Sequence, residues 1–165
     1  MNIVLQQALL NRYPKFLQKS ADARAFDERG FECEDGLFKI IDELCSECEA
    51  EIDTLTTQGF DKSKWPRVAQ IKEKLGRLRF HATGAVSGEL RGKFLAVQEI
   101  SLRTCESCGS PKSLSEQGSI NTFCETCQLD NANISMDISV LSSALGSTGL
   151  QHHELIFTML LSRNS

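Results

Sequence analysis

The chain has 165 residues, 41% of them hydrophobic and 24% charged, with a formal net charge of -4. That is the size and composition of one ordinary soluble domain, or a core with an appendage, large enough to bury a core of its own. No run approaches the ~18 apolar residues of a membrane helix, and the seven cysteines, an odd number, argue against a disulfide framework and for metal ligands plus buried thiols.

The N-terminus, "MNIVLQQALLNRYPKFLQKS", has no basic region ahead of an apolar core and no small-residue cleavage site, so a cytoplasmic protein is expected. Ile3, Leu5, Leu9, Leu10, Tyr13, Phe16 and Leu17 recur near helical spacing, and Pro14 predicts a kink or restart. Residues 20 to 35 are polar and read as a loop, with a short extended piece at Phe31 to Cys33. "GLFKIIDELCSECEAEIDTL" is the clearest helix, with Leu37, Ile41, Leu44, Cys48, Ile52 and Leu55 on one face and Asp35 placed to cap it. Its far face carries Asp42, Glu43, Glu47, Glu49 and Glu51.

"TTQGFDKSKWPR" is a linker by composition, with Trp65 biased to an extended conformation by Pro66. "RVAQIKEKLGRLRFHATG" reads as a β-hairpin turning at Gly76, with Ala69 and Ile71 on one face of the first strand and Leu78 and Phe80 on one face of the second. Lys72, Lys74, Arg77 and Arg79 would crowd its polar side and tip. A second amphipathic helix is expected between Ser87 and Arg103, on Leu90, Phe94, Val97 and Leu102. Gly84, Gly88 and Gly92 lower its propensity, and their spacing of four would let another backbone approach closely.

Charge is segregated along the chain. Residues 21 to 56 carry twelve acidic against three basic residues, and residues 62 to 112 carry eleven basic against four acidic, so the halves either pair with each other or face different partners.

Cys105-x-x-Cys108 and Cys124-x-x-Cys127 are the strongest signal in the chain. A two-residue gap lets both thiolates of a knuckle reach one ion at ~2.3 Å, and the fifteen intervening residues bring in the second pair. Four thiolates fill a tetrahedron and leave no open position, so one structural Zn²⁺ is expected. Cys45 and Cys48 imitate another knuckle but fall on the apolar side of the long helix; with Cys33 they read as buried thiols.

No catalytic constellation emerges. His81 stands alone in the hairpin, "HHEL" at His152 and His153 lacks the second His of a zinc-protease helix, and there is neither a P-loop nor a nucleophile elbow. After Cys127 the chain becomes serine-rich, and "HHELIFTMLL" fits a strand or a helix equally. The expected architecture is α+β. A core of helices and a basic hairpin occupies residues 1 to 103, a zinc ribbon 104 to 128, and a tail 129 to 165 that packs on the core or binds a partner.

Four blocks, "RYPKFL", "GFECEDGLFKIIDELC", "QIKEKLGRLRF" and "SLRTCESCGSP" with "TFCETC", resemble a family of small zinc-ribbon proteins encoded by bacteriophages, prophages and bacterial genomes. They span about residues 12 to 128, in the family's usual order. The chain departs from the family at Gly76-Arg77, where a double glycine is frequent, and at Gly118-Ser119-Ile120, where a tryptophan commonly follows the glycine. Its tail has no counterpart there. The resemblance implies a compact α+β protein with a zinc knuckle pair, no established activity and a place on a mobile element.

The leading expectation is a non-catalytic protein acting by protein contact, as an inhibitor of a host defence enzyme or an immunity protein against a toxin. Asp42, Glu43 and Glu47 would mask a basic surface of the target, with the tail as a second contact. The alternatives are a small nucleic-acid-binding regulator using Lys72, Lys74, Arg77 and Arg79, and an architectural subunit. No membrane and no small-molecule substrate are expected.

Overall fold

The computed structural model describes residues 1–17, 26, 29–112 and 122–130. Residues Met1–Cys127 form one compact unit and Gln128–Ser165 another, of which only 128–130 are described. The tail, with His152, His153 and "HHELIFTMLL", lies outside the described residues.

The first unit is α+β, as the periodicities imply. Helix α1 spans Ile3–Arg12 and is capped by Asn2, whose side-chain oxygen accepts from the Leu5 N–H at 3.0 Å. Pro14 ends it: Tyr13, constrained by the following proline, sits at φ -123°, ψ 59°, outside the helical region, and among the described residues the chain goes on only as a turn closed by the Leu17 N–H on the Tyr13 carbonyl at 3.0 Å. Strand β1, Phe31–Glu32, is the short extended piece anticipated. Helix α2, Phe38–Thr57, follows a 3-10 turn at Asp35–Leu37. Asp35 therefore does not cap α2. Its carboxylate accepts from the backbone and side-chain nitrogens of Asn2 at 2.6 and 2.5 Å, and these bonds hold its pKa below the usual carboxylate range.

Strands β2, Arg67–Lys74, and β3, Arg77–Thr83, form the hairpin, and helix α3 covers Gly88–Ser101 from its cap at Ser87. The sheet order is β1-β2-β3. The β1–β2 pair is parallel, which requires the crossover that α2 supplies, and the β2–β3 pair is antiparallel. Leu75 and Gly76, both at positive φ (57° and 75°), make a two-residue turn of the I′ type, whose twist suits a hairpin.

The core lies between the inner face of the sheet and the helices. Leu9, Tyr13 and Phe16 from the N-terminal arm, Ile40, Ile41, Leu44 and Ile52 from α2, and Val68, Ile71, Leu78 and Phe80 from the hairpin are all buried. Full burial stabilises by about 1.5–3 kcal/mol for each large apolar side chain. Phe16 stacks on Phe80 with ring centroids 5.7 Å apart, and Phe80 touches Phe94 of α3 at 5.2 Å.

Three expectations need correction. Val68, not Ala69, shares the buried face with Ile71, because the register shifts between Val68 and Gln70 and a bulge resets the alternation. The "linker" is partly core: Trp65 and Pro66 are buried, with Trp65 extended as its proline demands. The close backbone approach expected at Gly84, Gly88 and Gly92 occurs at Gly84, where a Cβ would overlap the Trp65 carbonyl, but not at Gly88 or Gly92, where it would meet nothing within 4 Å among the described residues. Among the described residues, no helix is long and apolar enough to cross a membrane.

Candidate metal centre

The first knuckle is a taut hairpin. Thr104 and Pro111 form an antiparallel bridge, the Cys105 N–H donates to the Ser110 carbonyl at 2.8 Å, and the Gly109 N–H donates back to the Cys105 carbonyl at 2.9 Å. Lys112 N–H to Arg103 carbonyl, 2.8 Å, closes its base. The second knuckle arrives beside it because the Glu106 N–H donates to the Thr122 carbonyl at 2.8 Å, two residues before Cys124. A helical turn opening at Glu125 then carries Cys127 back towards the first pair.

The Sγ atoms of Cys105, Cys108, Cys124 and Cys127 all lie within 4.8 Å of one another, with Cys108 and Cys124 at 3.7 Å. A tetrahedron with ~2.3 Å metal–sulfur bonds has edges of about 3.8 Å, so the quartet is sized for one ion. Cys105 is fully buried, Cys108 is exposed and the other two are intermediate. Hydrogen bonds, first from Ser110, push the Cys108 thiol down to about 6, while Cys127 is pushed up to about 12, chiefly by Cys108. The two shifts run in opposite directions because the sulfurs share hydrogen bonds, and a cation bound by all four would require them as thiolates.

The knuckle is built onto the core. Gly36 lies against it: the Gly36 N–H donates to the Glu106 carbonyl at 2.7 Å, and the Glu34 N–H donates to the Glu106 carboxylate at 3.1 Å. Glu106 therefore holds the turn before α2 with both its main chain and its side chain. Burial pushes its carboxyl up, against the Glu34 N–H, which favours the ionised form. A Cβ on Gly36 would overlap the Cys105 carbonyl and the Gly109 nitrogen and lie 2.6 Å from the Glu106 carbonyl oxygen. Sequence reasoning missed Gly36 and Glu106. The available signal was a glycine directly before a helix with no turn of its own to explain it.

The remaining thiols behave as core residues. Cys33, Cys45 and Cys48 are buried, and burial raises all three, Cys33 to about 12. Among the described residues they form no metal-holding group. Iodoacetamide should accordingly label Cys108, Cys124 and Cys127 in protein freed of metal, and reach Cys33, Cys45 and Cys48 only after unfolding. Peptide mass spectrometry reads both, and early labelling of Cys45 or Cys48 would show that the core is not sealed.

The acidic helix face is largely committed internally. Asp42 accepts from Arg12 and from the Tyr13 hydroxyl, Glu47 pairs with Lys93 at 2.7 Å, and Glu51 accepts from the Ser87 N–H. Glu49 accepts from the Lys15 and Phe16 N–H groups. Of the three predicted contact residues Asp42, Glu43 and Glu47, only the exposed Glu43 has no side-chain partner among the described residues.

The basic residues stay together. Lys72 stands opposite Arg79, and Lys74 opposite Arg77. Arg77 pairs with Glu99 at 2.8 Å and Arg79 reaches the neutral Gln98 at 3.4 Å; Lys72 and Lys74 have no side-chain partner among the described residues. His81 is exposed on β3. No family model, curated protein or solved structure matches the chain.

Proposed function

We propose that the cysteine quartet holds one structural Zn²⁺ and that the protein is a non-catalytic binding protein acting by contact with a protein target. The observation that carries this reading is the mutual approach of four thiol sulfurs within 4.8 Å. Four thiolates complete a tetrahedral shell, leaving no coordination position for water or substrate, and all-sulfur tetrahedral sites suit zinc. Such a site belongs in a reducing, cytoplasmic setting where the thiols are not lost to disulfides.

The resemblance to phage and prophage zinc-ribbon proteins supports a target such as a host defence enzyme or a toxin. Contact would occlude the target's working surface. The internal pairing of Asp42 and Glu47 shifts the burden from the acidic face to Glu43 and to the tail beyond Cys127.

A second reading, nucleic-acid binding, is favoured by one observation: the two rows of facing cations on the hairpin. A pull-down from host lysate, split into nuclease-treated and untreated halves, tests the first reading. It should yield one protein that survives nuclease, from bait carrying one equivalent of zinc by elemental analysis. Bait without zinc, or a capture lost entirely on digestion, would overturn it.

A further inference from the structure

We propose that the outer face of the β2–β3 hairpin binds the phosphate backbone of a nucleic acid, an inference that deepens the second reading above and does not depend on the metal assignment. Val68, Ile71, Leu78 and Phe80 occupy the inner face. The alternation therefore sends Lys72, Lys74, Arg77 and Arg79 to the opposite one, with Gln70 facing His81 in the next row.

The register makes this more than a solvated surface. Lys72 faces Arg79 and Lys74 faces Arg77 directly, and like charges placed opposite each other destabilise a sheet. An acid in either hairpin position of each row would relieve that repulsion, yet within β2 and β3 both rows are basic, and the Lys72 row meets a carboxylate at Glu32 of β1. Two carboxylates adjoin the strip: Glu99 pairs with Arg77, and Glu32, in register with Lys72, is itself engaged by Arg29 and Gln70. Gln98 orients Arg79 without neutralising it. Two rows about 6.8 Å apart along the strands present a compact cationic strip, complementary to a polyanion that offers a repeating charge. With Asp42, Glu47, Glu49 and Glu51 of α2 occupied by the N-terminal arm and α3, the strip keeps its local positive field although the whole chain is acidic.

The test is fluorescence anisotropy with a labelled DNA duplex of about 20 base pairs, titrated from low salt upward. If all four cations reach phosphates, affinity should fall about 150-fold between about 50 and 200 mM salt, and about 12-fold in K72A/K74A. At the lower salt the double variant should bind on the order of 100-fold more weakly. Lys72 and Lys74 have no side-chain partner among the described residues, so their removal should leave the zinc content unchanged and should not lower the melting temperature, which relief of the facing repulsion can only raise. K39A/K64A, which removes the same charge from other exposed sites, should bind like the unsubstituted protein. Absence of binding at low salt, an equal loss in K39A/K64A, or retention of heparin but not of duplex would each overturn the inference. With zinc still at one equivalent, those outcomes would leave the structural-metal reading standing.

Discussion

Replacing Gly36 with alanine is expected to destabilise the protein by about 3 kcal/mol or more and to weaken metal retention, although the change adds a single methyl group. The added Cβ would collide with three backbone atoms of the first knuckle, and backbone held by the Cys105–Ser110, Gly109–Cys105 and Glu106–Thr122 hydrogen bonds has little room to give. Gly92→Ala is the matched control with the opposite sign. Its Cβ meets nothing within 4 Å, and removing a glycine from a helix interior should stabilise by about 0.5–1 kcal/mol. Thermal melts of the two variants read the contrast directly. Equal melting temperatures would mean that Gly36 is not pinched between the core and the knuckle.

Cys105→Ser should empty the metal site, and its effect should extend beyond the cysteines. Cys105 is the fully buried ligand, and its own N–H and carbonyl shape the knuckle. The zinc proposed for this quartet would contribute on the order of 10 kcal/mol to the folding of the segment that binds it, so its loss should release the knuckle. Glu106 then loses its fixed position. The Gly36 and Glu34 amides, which donate to its carbonyl and carboxylate, should exchange with solvent faster, while the amides of α2 between Ile41 and Ile52 remain protected by the core. Hydrogen exchange with metal analysis separates the outcomes. One equivalent of metal in the variant, or unchanged exchange at Gly36, would contradict the coupling.

Much of the fold was legible because local rules and tertiary packing agree. The apolar spacing of α2 and the glycine at the hairpin turn each point to one conformation. The gathering of the four cysteines was legible for the same reason: two-residue gaps bring both thiols of a pair to one point without reference to the rest of the chain. What escaped depended on partners distant in sequence. Ala69 fits the alternation as well as Val68 does until the bulge is seen. Asp35 is a plausible cap until Asn2 claims its carboxylate. Asp42 and Glu47 are surface acids until Arg12 and Lys93 meet them from either side. Gly36 looks like loop punctuation until residue 106 arrives.

The carboxylates of α2 also bear on how the chain assembles. They receive the N-terminal arm at Asp42, Glu49 and Asp53 and the start of α3 at Glu47 and Glu51. The arm closes loops of 29 to 38 residues, and the α3 side closes loops of 36 and 46. Closing a 46-residue loop rather than a 33-residue one costs only about 0.3 kcal/mol more, so neither side has an entropic head start. A preformed α2 can be joined from either flank first, which gives the chain two parallel routes to the same core in place of one obligatory order.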